Sequence, residues 1–186
     1  MLVEPYLSDF RTKTEGFEGN VPYFYKDTRG FVSIGIGHLV SSLNAALALP
    51  WTDISNVQRD WTIIANAAPA KPAEFYEALT TSRLTPAGIM ALFDQDIADD
   101  FTPLRGFIPT IDSMPQPCIQ GILDMSLNLG PTKLNTDFFA VGCRFGPAVL
   151  RGDWATAAAE CERKGISEAR NAYTANLFRS AIGSVS

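Results

Sequence analysis

Between Phe31 and Leu39 the chain reads FVSIGIGHL, in which Val32, Ile34 and Ile36 alternate with Ser33, Gly35 and Gly37. A period of two sends successive side chains to opposite faces, so this stretch predicts a hairpin or small sheet with one face buried. The pattern begins near Tyr23 and runs through the turn-like DTRG at 27–30 to His38. Nothing after it repeats the alternation. From Thr85 onward apolar positions recur at helical spacing. Thr85 is an N-cap ahead of Pro86, and Ile89, Leu92, Phe93 and Ile97 share one face. QPCIQGILDMSLNLG then ends at Gly130, DFFAVGCRFGPAVLRG at Gly152 and DWATAAAECERKG at Gly165, and SEARNAYTANLFRSAI closes the series. Ahead of the hairpin, residues 5–17 open on Pro5 and carry Tyr6, Leu7, Phe10 and Phe17, a short amphipathic helix ended by Gly16 and Gly19. Residues 42–84, punctuated by Pro50, Pro69 and Pro72, read as short helices and loops in which Trp51 and Trp61 pack. One early sheet signal followed by many helices predicts an α+β protein, mostly helical, with a small N-terminal antiparallel sheet.

A chain of 186 residues that is 46% hydrophobic can bury one substantial core without a second domain. The expectation is a single domain of two lobes: a small-sheet lobe over about 18–84, and a helical lobe over about 85–186 together with the N-terminal helix. No apolar run approaches the length of a membrane span. The start, MLVEPYLSDFRTKTEG, lacks a basic stretch followed by an apolar block, so the mature protein is expected to begin where the sequence does. The net charge is -5, unevenly spread: residues 1–100 hold 7 Lys and Arg against 13 Asp and Glu, and residues 101–186 hold 8 against 7. A phosphate backbone needs a basic stripe, so nucleic acid is not an expected partner, whereas a cationic protein is compatible. Cys118, Cys143 and Cys161 are widely spaced and the chain has a single histidine, so no metal site is expected and the thiols read as reduced and packed.

Carboxylates flank the strand pattern: Glu15 and Glu18 before it, Asp27 in its turn. Glycoside hydrolysis needs two such groups, one protonated to donate to the leaving oxygen and one ionised to activate water or attack. A partly buried Glu at a helix end suits the first role and an Asp in an exposed turn the second. Acids at helix ends and turns are more often plain solvated residues. The segment EGNVPYFYKDTRGFVSIGIGHL, however, resembles the active-site region of the tailed-phage lysozymes (muramidases) and their bacterial relatives. Their pattern is a Glu, eight residues, an Asp, five residues, then Thr, and here Glu18, Asp27 and Ser33 fall on it. Later stretches resemble further landmarks of that family: SLNAA at 42–46, LFDQDI at 92–97, MSLNLG at 125–130, GDWATAAAE at 152–160 and RNAYTANLFRSA at 170–181. Only about 47–84 looks longer and unfamiliar.

The resemblance implies a lysozyme-like fold and hydrolysis of the β-1,4 bond between N-acetylmuramic acid and N-acetylglucosamine in peptidoglycan, with no cofactor. Glu18 would be the general acid. Glu15 is the alternative, since EGF at 15–17 also resembles the glutamate and the residues after it in some members. Asp27 with Ser33 would position water, for an inverting outcome or, alternatively, a covalent intermediate on Asp27. Serine keeps the hydroxyl of the family threonine and loses its methyl. By the same resemblance His38 pairs structurally with Asp96, Arg170 reaches the catalytic glutamate and Asn128 bonds sugar in the cleft; by itself Asn128 is equally a helix cap. The expected protein is a monomer acting on peptidoglycan in the periplasm or at the wall of a target bacterium, made in the cytoplasm without a signal peptide. It would serve as phage endolysin or delivered antibacterial effector, the latter with a cognate immunity protein. A catalytically silent wall-binding or partner-binding module and a lytic transglycosylase are the alternatives.

Overall fold

The computed structural model describes residues 1–27 and 29–183. Helix α1 (Tyr6–Glu18) leads into β1 (Val21–Lys26), β2 (Val32–Gly35) and β3 (His38–Leu39). Short helices α2 (Leu43–Ala48), α3 (Val57–Asn66) and α4 (Ala73–Glu77) follow, then the long α5 (Pro86–Phe107) and a 3-10 turn at Ile111–Ser113. Helices α6 (Gln116–Leu129), α7 (Pro131–Phe138), α8 (Phe145–Arg151), α9 (Trp154–Glu160) and α10 (Glu168–Ser180) complete the chain. This is the mostly helical α+β architecture, with one small antiparallel sheet of order β1-β2-β3. Two compact units divide it: Thr14–Asp96, and Met1–Lys13 with Ile97–Ser186. The division falls inside α1 and α5, so the first half of α5 belongs with the sheet unit.

Side-chain caps start four of the helices. The Thr85 hydroxyl accepts from the Gly88 N–H at 3.0 Å, Ser42 caps α2 through Ala45, Asp153 caps α9 through Thr156 and Ser167 caps α10 through Arg170. Two expected helices are shorter than their sequence suggests. DFFAVGCRFGPAVLRG is not continuous: it breaks between Phe138 and Phe145, where the chain closes so tightly that a Cβ on Gly146 would meet Phe139 at 2.7 Å. α9 stops at Glu160 rather than near Gly165, and Arg163, buried beyond it, turns into the helical unit instead.

In the sheet unit β2 is the middle strand, with Tyr25 opposite Ser33, Lys26 opposite Val32 and His38 opposite Ile34. A bulge between Val21 and Tyr25 shifts the register of β1. The turn of the β2–β3 hairpin falls at Ile36–Gly37, so Ile36 leaves the strand while its side chain stays buried. β2 is buried at all four positions, Ser33 included, where the sequence pattern implied one solvated face. Phe24, Ile34, Val57, Ile64, Tyr76 and Leu84 form the core of this unit, and Trp51 packs edge-on against Phe24 at 5.2 Å between centroids. Asp60, wholly buried on α3, holds the following loop: its carboxylate accepts from the N–H groups of Thr81 (2.8 Å) and Ser82 (2.7 Å) and from the Arg59 guanidinium.

In the helical unit a row of aromatic contacts runs from Phe107 through Phe139 and Phe145 to Phe178, on which Trp154 stacks. A Cβ on Gly121 would meet the Phe178 ring at 2.9 Å, so glycine here lets α6 and α10 approach closely. Cys118 and Cys161 are buried free thiols, pushed by that burial up to about 12 and about 11. Among the described residues no helix is long and apolar enough to cross a membrane.

Candidate active site

Glu18 is the last residue of α1, and Gly19 beyond it adopts a left-handed conformation at φ 78°, turning the chain directly into β1. The side chain extends toward the β2–β3 turn: a Cβ on Gly37 would stand 3.7 Å from Glu18 Oε2. Gly37 itself has φ 75°, so both its backbone and the approach of the carboxylate favour the absence of a side chain. Glu18, the last residue of α1, is exposed, a departure from the partial burial expected of it. Glu15, the alternative, is half-buried and accepts from Asn20 Nδ2 at 2.9 Å, which employs it as a brace for the turn into β1.

Asp27 follows β1. Its Oδ1 accepts from the backbone N–H groups of Arg29 at 2.9 Å and Phe31 at 2.8 Å, and Oδ2 lies 3.6 Å from Arg29 Nε. The Asp27 side chain therefore ties down the backbone at Arg29 and Phe31, with a guanidinium alongside. This fixes the carboxylate and leaves Oδ2 as the oxygen able to serve a water. The side chain is 24% exposed, less open than a free turn residue.

Tyr25, on β1, is a residue that sequence reasoning passed over. It lies opposite Ser33 in the sheet. Burial first, then the Glu18 and Asp27 carboxylates, push this phenol up to about 12, with the Ser33 hydrogen bond pulling the other way. The available signal was the alternation itself, because Tyr25 and Asp27 sit two residues apart at the strand end.

His38 Nδ1 lies 2.8 Å from Asp96 Oδ1 and 3.0 Å from Oδ2, both side chains mostly buried. This contact ties β3 to the first half of α5 inside the sheet unit and occupies the imidazole with a structural task.

Asn128 and Arg170 belong to the other unit. Asn128 is half-buried two residues before Gly130, and its side chain makes no hydrogen bond among the described residues. Arg170 is buried, and its Nε donates to Asp124 Oδ1 at 2.9 Å. Asp124 also accepts from Arg163 Nη2 at 2.6 Å and from the Thr174 hydroxyl at 2.7 Å. This buried cluster went unread in the sequence, although an acid surrounded by Ile122, Leu123 and Met125 on an apolar helix is a signal that a cationic partner exists. Burial, the largest effect, pulls the Arg163 guanidinium below its ordinary value against the pull of Asp124. Among the described residues no group of three or more His, Cys, Asp or Glu side chains is arranged to hold a metal ion.

A scan against protein-family models finds no match, and a search of curated proteins finds none either. The functional reading therefore stands on the motif residues and the geometry above.

Proposed function

We propose that the protein is a muramidase that hydrolyses the β-1,4 bond between N-acetylmuramic acid and N-acetylglucosamine, with Glu18 as general acid and Asp27 as the base that activates water. The observation that carries this reading is that α1 ends on Glu18 with its carboxylate against the β2–β3 turn at Gly37, while Asp27 follows the end of β1, two residues past Tyr25, which pairs with Ser33 in β2. Two carboxylates of unequal setting are what such chemistry requires. Asp27 is held by the Arg29 and Phe31 N–H groups, with the Arg29 guanidinium alongside. Glu18 is exposed in the free protein and so open to a glycan strand laid over it. In the reaction Glu18 gives its proton to the leaving oxygen while Asp27 Oδ2 takes one from water attacking the opposite face, which inverts the anomeric centre.

One observation favours a second reading. Asp27 Oδ1 is spent on the turn, so its carboxylate has a sufficient structural reason to exist. In a lytic transglycosylase the acid acts alone and the sugar's own hydroxyl attacks. Mass measurement of the fragments from purified peptidoglycan separates the two: hydrated reducing ends support the muramidase, anhydro ends the transglycosylase, and no fragments from folded protein a silent wall-binding module. Peptidoglycan lies outside the cytoplasmic membrane, so the proposed place of action is the periplasm or wall of a target bacterium. Of endolysin and delivered effector, the acidic first half of the chain, 13 Asp and Glu against 7 Lys and Arg, favours an effector whose producer carries an immunity protein; co-purification with the product of a neighbouring gene tests it.

A further inference from the structure

Helix α8 ends on Arg151, and Gly152 beyond it takes a left-handed conformation at φ 71° before Asp153 caps α9. Between this corner and the 3-10 turn that leads into α6 lies a cavity of about 330 Å³, within the size range of small-molecule sites. Thr110, Ser113 and Met114 line it from around the 3-10 turn, and Val149, Leu150 and Trp154 line it from α8 and α9. All of them belong to the helical unit.

The lining defines what such a cavity can take. None of its residues carries a charge. Trp154 is half-buried, with one face laid against Phe178 at 13° between planes, and its indole N–H makes no hydrogen bond among the described residues. An indole donor in such a setting ordinarily has a partner. The Ser113 hydroxyl donates to the Thr110 carbonyl at 2.9 Å, which leaves its lone pairs to accept, while the Thr110 hydroxyl makes no hydrogen bond among the described residues. A Cβ on Gly152 would stand 3.9 Å from Trp154 Cζ2, so a longer side chain would press on the indole; the positive φ keeps glycine there.

We propose that this cavity is a second saccharide site, built wholly within the helical unit, that takes an uncharged N-acetylhexosamine ring of the N-acetylglucosamine kind. That the ligand is a sugar rests on the muramidase reading; which sugar follows from the lining. A pyranose alternates hydroxyl groups with C–H surface, so Thr110 and Ser113 bond its hydroxyls while Met114, Val149 and Leu150 meet its C–H groups. The acetamido carbonyl accepts from the Trp154 N–H. N-acetylmuramic acid adds a carboxylate or its peptide stem, which no cation in the lining offsets. The site makes and breaks no bond: it holds the protein on the glycan, which lowers KM on insoluble wall and leaves kcat alone.

The test uses the full chain, labelled with nitrogen-15 and titrated with tri-N-acetylchitotriose, with the Trp154 indole signal assigned by its absence from Trp154→Phe. That signal should shift with a Kd of about 1 mM, as a contact the size of one sugar ring allows, and N-acetylmuramic acid should move it less. Thr110→Arg and Leu150→Lys, both at exposed positions, obstruct the cavity from its two sources of lining. Each should abolish the shift and raise KM on insoluble peptidoglycan about 3- to 10-fold with kcat unchanged, melting curves showing that each is folded. An unmoved Trp154 signal at about 10 mM chitotriose, ten times the expected Kd, would overturn the proposal. So would an unaltered shift in either folded variant, tighter binding of N-acetylmuramic acid, or an unchanged KM in variants that no longer bind. A Trp154 signal that responds in a folded protein without hydrolytic activity overturns the muramidase reading alone; hydrolysis by a protein whose Trp154 signal is silent overturns this inference alone.

Discussion

Asp60 is the side chain on which the least familiar part of the molecule depends. It is wholly buried on α3, and its Oδ2 accepts from the consecutive N–H groups of Thr81 and Ser82 while Oδ1 takes two hydrogen bonds from Arg59. Replacing it by alanine leaves two backbone donors without a partner, at about 1–3 kcal/mol each, so the loss should be about 2–6 kcal/mol. Asparagine can turn its carbonyl oxygen to the same two N–H groups while Arg59, half exposed, swings into solvent. That substitution keeps two neutral hydrogen bonds in place of two charge-assisted ones, a difference of about 1 kcal/mol per bond and roughly 2 kcal/mol in all. The pH dependence follows from the carboxylate's setting. Burial alone would raise the Asp60 carboxyl, but the Ser82 and Thr81 N–H groups and Arg59 outweigh it and hold the group below its ordinary value. A lowered folded value means that the stabilisation is fully present above the unfolded value of about 3.9 and is lost as pH falls through the folded one. Urea unfolding of wild type, Asp60→Ala and Asp60→Asn across pH reads both effects, with melting points moving about 2–4 °C per kcal/mol in a chain of this size. Alanine should be the worse variant, and wild type should converge on Asp60→Asn in acid. An alanine variant within about 1 kcal/mol of wild type, below the cost of even one orphaned donor, would refute the reasoning. A gap to Asp60→Asn that persists unchanged into acid would refute it equally.

Three further outcomes are expected from the same geometry. His38→Asn should lower stability by about 1–3 kcal/mol, between the worth of an exposed pair and a buried one, while the folded variant keeps its hydrolytic rate; denaturant unfolding beside a wall assay checks both. Asp27→Asn should abolish hydrolysis without dissolving the turn, because the amide oxygen still accepts from Arg29 and Phe31, as hydrogen exchange of those two amides would show. Gly121→Ala should cost about 1–3 kcal/mol by pressing a methyl into the Phe178 ring, measurable as an earlier urea midpoint.

What the sequence discloses is what neighbours along the chain decide. Thr85 before Pro86 and Gly130 after Leu129 mark helix ends because caps act within a turn. The alternation at 32–37 reveals a hairpin but not its burial: Ser33 is enclosed because β2 is the middle strand, a property of pairing rather than of period. The break before α8 is equally silent, since it depends on Phe138 and Phe139 folding back over Gly146. At the proposed site, Glu18, Asp27 and Ser33 stand out through the resemblance to the lysozyme motif and not through their spacing, which by itself fits ordinary solvated residues. Tyr25 needs the register across β1 and β2, and Asp124 with Arg163 and Thr174 needs α6, the segment after α9, and α10 brought together.

The central claim is that Glu18, not Glu15, is the acid of a muramidase, and release of reducing ends from purified peptidoglycan by wild type, Glu18→Gln and Glu15→Gln tests it most directly. Glu18 reaches toward Gly37 at the strand turn, whereas Glu15 is engaged with Asn20. The account predicts an active wild type, a folded Glu18→Gln slowed roughly 10²–10⁴-fold by loss of its general acid, and a Glu15→Gln that stays close to wild type in rate. A folded but inactive wild type would contradict it, and so would a silent Glu15→Gln beside an active Glu18→Gln.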